Sequence, residues 1–189
     1  MTQTSLIASP LDQTSIERFW DEVGDDTETW QWIGGPAPIP HSKQELVKTL
    51  GDTIESMSCE YFAFQDQSTG DIVAISAFLD IRPQDRHVEI GGTFIARRFR
   101  GGNTNYQMKY LMLTEAFEKR NCVRVTFKVN SLNQRSREAV LRIGAKFEGE
   151  LRNQREQRDG SWRTAAIFSI IESEWPEVKR ALETKIAQG

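Results

Sequence analysis

The spacing of apolar residues changes along the chain, and each change marks an element. Helical spacing comes first, over residues 13–22, after Pro10-Leu-Asp12. An acidic run over residues 21–28 and Thr29-Trp-Gln-Trp32 follow, then a loop that Pro36, Pro38 and Pro40 stiffen against helix or central strand. Ser42 opens a second helix reaching about residue 57, and Glu45 three positions on completes a capping-box pattern. From Glu60 the period shortens to that of strands: residues 61–65 and 71–79, joined through Ser68-Thr-Gly70, predict a hairpin. Residues 88–95 predict the next strand. Tyr106, Tyr110, Leu113 and Phe117, spaced by four, three and four, then give the buried stripe of a helix. Residues 123–129 form a β-branched strand, and a helix over 133–143 stops at Gly144. Residues 146–151 and 163–171 predict the last strands, turning at Asp159-Gly160, and Trp175-Pro-Glu177 starts a short final helix. The order ααβββαβαββα, without internal repeat, predicts an α/β fold with a mixed sheet and helices on both faces.

Composition narrows the class without naming it. A chain of 189 residues suits one domain over 1–189, and 38% hydrophobic with 27% charged residues is ordinary for a globular protein. The formal charge of −3 argues against a dedicated nucleic-acid binder. The apolar run at residues 72–79 is strand-length and too short to span a bilayer. The first ten residues lack a basic segment followed by an apolar core, so no secretory signal is expected. Cys59 and Cys122 give no disulfide framework, which fits a reducing cytoplasm. His41 and His87 match no familiar metal-ligand spacing, so no metal is expected. Membrane partners are likewise not expected.

The most informative stretch is residues 89–109, where a strand broken by Gly91-Gly92 runs through Arg100-Gly-Gly-Asn-Thr-Asn105 into a helix. Unpaired N–H groups at a helix start carry partial positive charge, and small residues let an anion approach them. The order therefore suits a pyrophosphate. No Gly-Lys-Ser/Thr follows, which excludes a Walker loop, and the glycines are misplaced for a dinucleotide fingerprint. The competing reading is a surface turn with solvated arginines. Asn133 and Ser136 open the second helix, where Ser136 shares a stripe with Leu132, Ala139 and Ile143, and Arg135, Arg137 and Arg142 face solvent. Ser136 is then either a small packing residue or an inward-facing donor. Together the two elements point to an enzyme built around a phosphorylated cofactor.

Several blocks in order resemble one family. They are Val88-Glu-Ile-Gly-Gly92, the Arg100 loop, residues 109–117, Asn133-x-x-Ser136, residues 143–149, Asp159-Gly-Ser161 and Ser173-Glu-Trp-Pro176. The chain resembles the GNAT superfamily of acyl-CoA-dependent N-acetyltransferases, in particular the branch of ribosomal-protein (serine/alanine) N-terminal acetyltransferases, nearly end to end. The resemblance implies a single domain whose mostly antiparallel sheet splays, with acetyl-CoA between the strands at 88–95 and 123–129 and coenzyme A as product. Thr93, Phe94 and Ile95 would pair with its pantetheine, and the amides of Arg100, Gly101, Gly102, Asn103, Thr104 and Asn105 would hold its pyrophosphate. Asn133 would contact the pantetheine arm and Ser136 would lie by the thioester sulfur. The double glycine fits independently, because a strand that bulges or splays favours glycine.

Two departures stand out. Asn103 and Asn105 occupy the loop's glycine and small-residue places; asparagine tolerates left-handed backbone next best after glycine. Val140 replaces the tyrosine that many members use as the acid for the leaving thiolate, which leaves Ser136 as the donor.

Attack on a thioester needs a free amine, and an α-amino group titrates near pH 8, well below a lysine side chain. Glu89 is the candidate base, set against the alternative of a solvent-facing glutamate held by His87 or Arg86; Glu156 is a second candidate. Amides near Phe94 and Ile95 would polarise the carbonyl. Trp20, Trp30, Trp32 and the proline loop are either a lid over the acceptor or core, and Arg152, Arg155, Arg158 and Arg163 either grip an acidic acceptor or solubilise a hairpin. The leading expectation is acetyl transfer to a primary amine, a protein N-terminus ahead of a small molecule, by a monomer or homodimer. The alternative is a catalytically idle acyl-CoA-binding sensor or scaffold.

Overall fold

The computed structural model describes residues 4–26, 30, 32, 38–56 and 59–188. One seven-stranded sheet, in the order β1-β2-β3-β4-β5-β7-β6, organises everything else. Its strands are β1 (Leu6–Pro10), β2 (Glu60–Asp66), β3 (Ile72–Arg82), β4 (His87–Ile95), β5 (Arg124–Asn130), β6 (Lys146–Glu156) and β7 (Trp162–Ile171). All neighbours are antiparallel except β4 and β5. The helices are α1 (Gln13–Val23), α2 (Lys43–Ser56), α3 (Thr104–Thr114), α4 (Gln134–Arg142) and α5 (Trp175–Gln188). A π-helical turn, Glu115–Lys119, prolongs α3. The expected mixed α/β sheet with helices on both faces is therefore present.

The sheet separates two apolar cores. On one face α1 and α2 cover the sheet with Ile16, Phe19, Val23, Leu46 and Leu50 against Ala63, Ile75 and Phe94. On the other, Met108, Leu113 and Phe117 from α3 and its π turn, Val140 from α4 and Leu182 from α5 pack on Val88, Ile90, Phe127 and Phe168. Local signals start the helices. Asp12 caps α1 by accepting from the Ser15 N–H at 2.7 Å. Ser42 caps α2 through the Glu45 N–H at 3.2 Å, while Glu45 reaches back to the His41 N–H at 2.7 Å, one residue earlier than a standard capping box.

Four expectations need correction. β1 lies ahead of the first helix; it buries only Leu6, so no alternation marks it, and pairing with β2 makes it a strand. β6 runs on to Glu156, because edge strands are held by ladder hydrogen bonds without needing an apolar face. The final helix is 14 residues long, anchored by buried Trp175, Val178, Leu182 and Ile186. Leu132 lies ahead of α4 and is 78% exposed, so the inward face of that helix and its C-cap is Val140 and Ile143, with Ser136 half-buried. The proline-loop residues 33–37 lie outside the described residues.

Candidate active site

The parallel pair β4–β5 is joined only over three residues, His87–Glu89 against Arg124–Thr126. Beyond Glu89 the strands part. β4 continues to Ile95 against β3 alone, and β5 continues to Asn130 against β7 alone. Two strand edges with unpaired peptide groups thus face each other across a cleft in mid-sheet, where a ligand with amide groups can take the place of the missing strand. The parting begins at Gly91-Gly92. Gly92 has φ +56, and a Cβ there would meet the Tyr61 hydroxyl at 2.7 Å; the β3–β4 register shifts by one residue across the same point.

The cleft leads to the start of α3. Gly101 has φ +83, and a Cβ at Gly101 or Gly102 would meet nothing within 4 Å. The first intrahelical bond runs from the Gln107 N–H to the Asn103 carbonyl at 3.0 Å, so the amides of Thr104, Asn105 and Tyr106 precede the ladder. No side chain caps this helix. An open loop of glycines above an uncapped helix start is a place for an anion. Arg100 plays a different part: its N–H donates to the Arg97 carbonyl at 3.2 Å, and its guanidinium to the Ile95 carbonyl at 2.8 Å and to Asp26. Asn103 has φ −86 and Asn105 lies within α3, so neither adopts the left-handed backbone expected of it; Gly101 does. The Asn103 side-chain oxygen accepts from Gln107 at 2.8 Å.

On the α1/α2 face of the sheet, Glu89 sits at the fork of the two strands, 7% exposed, ion-paired to Lys128 at 2.6 Å. It is neither solvent-facing nor held by His87 or Arg86. Arg86 donates to the Asn121 carbonyl and pairs with Glu172. His87 Nδ1 accepts from Arg82 at 3.0 Å, which leaves Nε2–H to donate to Thr126 at 2.9 Å; burial and the nearby arginine charges lower its proton affinity. Trp30 is 2% exposed, donates to the Val23 carbonyl at 2.9 Å and packs 5.5 Å from the Phe94 ring, so it is core beneath the cleft strand. Trp32 is 41% exposed. Glu156 is exposed at the end of β6.

The acetyltransferase (GNAT) domain family matches residues 5–146. The chain belongs to the GNAT acetyltransferase family. It is an N-acetyltransferase that uses acetyl-CoA. No curated protein sequence matches it. Among solved structures it is similar to a T. thermophilus protein assigned as an acetyltransferase, at 28% identity and TM-score 0.86 over 96% of this chain and 94% of that one. Two more distant structures share the fold. One is Mycobacterium smegmatis RimJ in complex with CoA-disulfide, at 17% identity, TM-score 0.78, 95% of this chain and 88% of that one. The other is a Vibrio cholerae protein assigned as a ribosomal-protein-serine acetyltransferase, at 17% identity, TM-score 0.75, 89% of this chain and 95% of that one.

In this GNAT domain the fork, the open loop and the uncapped helix fit acetyl-CoA: strand-edge amides without a partner strand for a group that carries amides, and bare helix-start amides for one that carries phosphates. Asn133 caps α4, accepting from the Ser136 N–H at 3.0 Å through its side-chain oxygen, which leaves its NH₂ end to donate elsewhere. Val140 is buried in the core and supplies no acid. Three residues escaped sequence reasoning. Lys109 is 4% exposed under the cleft strand and donates to Thr93 Oγ1 at 2.7 Å; its position four before Leu113 and seven before Ala116 was the signal. Lys128 was marked by strand alternation with Phe127 and Val129. Tyr61 had no signal, because only the folded sheet brings it to Gly92. Among the described residues no group of three His, Cys, Asp or Glu is placed to hold a metal ion, and no helix is long and apolar enough to cross a membrane.

Proposed function

We propose that the acceptor is a protein N-terminal amine, in preference to a small-molecule amine, and that the chain stands in the ribosomal-protein N-terminal acetyltransferase branch. The observation that carries the reading is the fork itself: the cleft for the acyl donor opens where Glu89, a buried carboxylate, looks out on the opposite, α1/α2 face. An α-amine needs only a modest base, because it titrates near pH 8. Bound acetyl-CoA supplies the activated acetyl group. Thr93, Phe94 and Ile95 pair with its pantetheine, Gly101 through Asn105 offer amides to its pyrophosphate, and the Asn133 NH₂ orients the arm. Glu89 takes the proton from the amine, directly or through water, with Lys128 fixing its carboxylate. Amides at Phe94 and Ile95 polarise the thioester carbonyl, and Ser136 stands by to protonate the departing sulfur. The likeness in fold to the V. cholerae protein assigned as a ribosomal-protein-serine acetyltransferase supports a peptide acceptor.

The test is a panel of N-terminal peptides and small amines assayed by amine-dependent thiol release. Peptides should exceed small amines in kcat/KM; the reverse order overturns the acceptor class. Glu89→Gln should cut kcat by roughly 10²–10³-fold with acetyl-CoA affinity nearly unchanged. Unaltered turnover in this variant removes Glu89 from the base role.

A further inference from the structure

The acetyl-transfer reading leaves two charges unused. Arg155 on β6 and Arg163 on β7 are direct cross-strand partners, so both project from the same face. Like charges placed opposite each other in a sheet destabilise it. Arg163 is nevertheless 8% exposed, and the Nε atoms of both arginines are buried without a hydrogen-bond partner. Among the described residues neither has a carboxylate within ion-pair distance. Arg163 reaches only the Lys128 carbonyl, at 3.4 Å.

The counter-charges nearby are already in use. Glu89 is paired with Lys128 at 2.6 Å, and Asp80, 3.8 Å from Lys128, also holds Arg82 at 3.3 Å. Glu89, the buried carboxylate of this face, is thus taken by Lys128 and acts on Arg163 only through its charge. Burial first, then the charge of Arg155, lowers the proton affinity of Arg163, while Glu89 raises it. The pair is tied to the cleft from the other side as well, since Arg155 lies close enough to Tyr61 to act on its hydroxyl, which burial pushes up to about 12. Native proteins seldom leave buried donors unmatched without a role. A guanidinium fork is the group that grips carboxylates with two parallel hydrogen bonds.

We infer that Arg155 and Arg163 bind a carboxylate that the acceptor carries close to its reacting amine. The inference rests on the reading of the Glu89 face as the acceptor side. The chemistry has two sources, the α-carboxylate of a free amino acid or an acidic side chain at the start of a peptide, and the anchoring is the same for both. A missing anion completes the charge balance of the site: it neutralises the excess of cations and fills the orphaned donors.

The experiment compares serine with serinamide, and a seryl-glutamyl tripeptide amide with its seryl-glutaminyl counterpart. In at least one pair the wild-type protein should favour the carboxylate by roughly 10- to 100-fold in kcat/KM, the range for a hydrogen bond to a charged group. The pair that discriminates identifies the source. Arg155→Gln and Arg163→Gln should each bring that ratio towards one, with Arg155→Lys retaining part of it. Arg155 is only half-buried, so its variants keep the test alive if Arg163→Gln fails to fold. Calorimetry of acetylserine against acetylserinamide, and of the two acetylated tripeptide amides, on coenzyme A-loaded protein gives a second readout independent of turnover. Equal values within both pairs, by kinetics and by calorimetry, overturn the anion site. A calorimetric preference for the acetylated carboxylates, with no carboxylate preference in turnover, would instead overturn the reading of this face as the acceptor side and leave the anion site standing.

Discussion

Lys109 shows how much a single side chain can be made to tolerate. It projects from α3 into the sheet, donating to Thr93 and lying 3.4 Å from Ser76 Oγ, and Ser76 donates to the Gly91 carbonyl at 3.1 Å. Hydroxyls solvate the ammonium without neutralising it, and burial pushes its pKa down to about 7. In the unfolded chain the same amine titrates near 10.4. Between these values the unfolded state binds a proton that the native state lacks, so stability rises with pH across the window and is flat below it. Between pH 7.5 and 9.0 the wild-type protein should gain roughly 2 kcal/mol relative to Lys109→Met, at about 1.36 kcal/mol per unit. Urea unfolding of both proteins at the two pH values checks this; parallel shifts would show that Lys109 keeps its proton. The sequence carried a trace of this residue, since a lysine on the Leu113 stripe contradicts the stripe. The partners were hidden, because Ser76 and Thr93 reach it only through the fold.

At the scale of elements, β4 and the start of α3 are shaped by glycines for different reasons. At Gly92 the obstacle is packing as well as backbone: φ is +56 and a Cβ would fall 2.7 Å from the Tyr61 hydroxyl and 3.0 Å from its ring. Gly92→Ala should therefore cost roughly 2–5 kcal/mol, from backbone strain and overpacking together. At Gly101 φ is +83 but the space is open. Gly101→Val should cost only about 1–2 kcal/mol in stability, and should weaken acetyl-CoA binding by blocking the approach to the loop amides. Chemical denaturation and calorimetry separate the two effects. Wild-type cofactor affinity in Gly101→Val would contradict the pyrophosphate assignment. These elements were legible because glycine pairs and a basic loop stand out in sequence. The extension of β6 and the presence of β1 were not, since ladder hydrogen bonds hold them and no apolar face announces them.

At the scale of the whole molecule, the sheet divides the helices into a layer that follows the Arg100 loop and a layer on the face of Glu89, proposed above as the acceptor side. The order of elements could be read from periodicity. The coupling between layers could not, because it joins residues far apart in the chain. Arg100, on the loop before α3, reaches 74 positions back to Asp26 at the end of the α1 segment, and both side chains are largely buried, 13% and 3% exposed. The same guanidinium holds the Ile95 carbonyl at the end of the cleft strand. A buried pair of this kind adds little over an apolar packing, but removing one partner strands the other charge at a cost of about 3–5 kcal/mol. Asp26→Ala and Arg100→Ala should each destabilise by that order, and the double variant should lose less than the sum of the two. Both single variants should also bind acetyl-CoA more weakly, because an Arg100 that is absent, or freed of Asp26, no longer fixes the strand end against the loop. Strict additivity in denaturation, with unchanged cofactor affinity in Asp26→Ala, would mean that the Arg100–Asp26 pair neither couples the two layers nor shapes the loop.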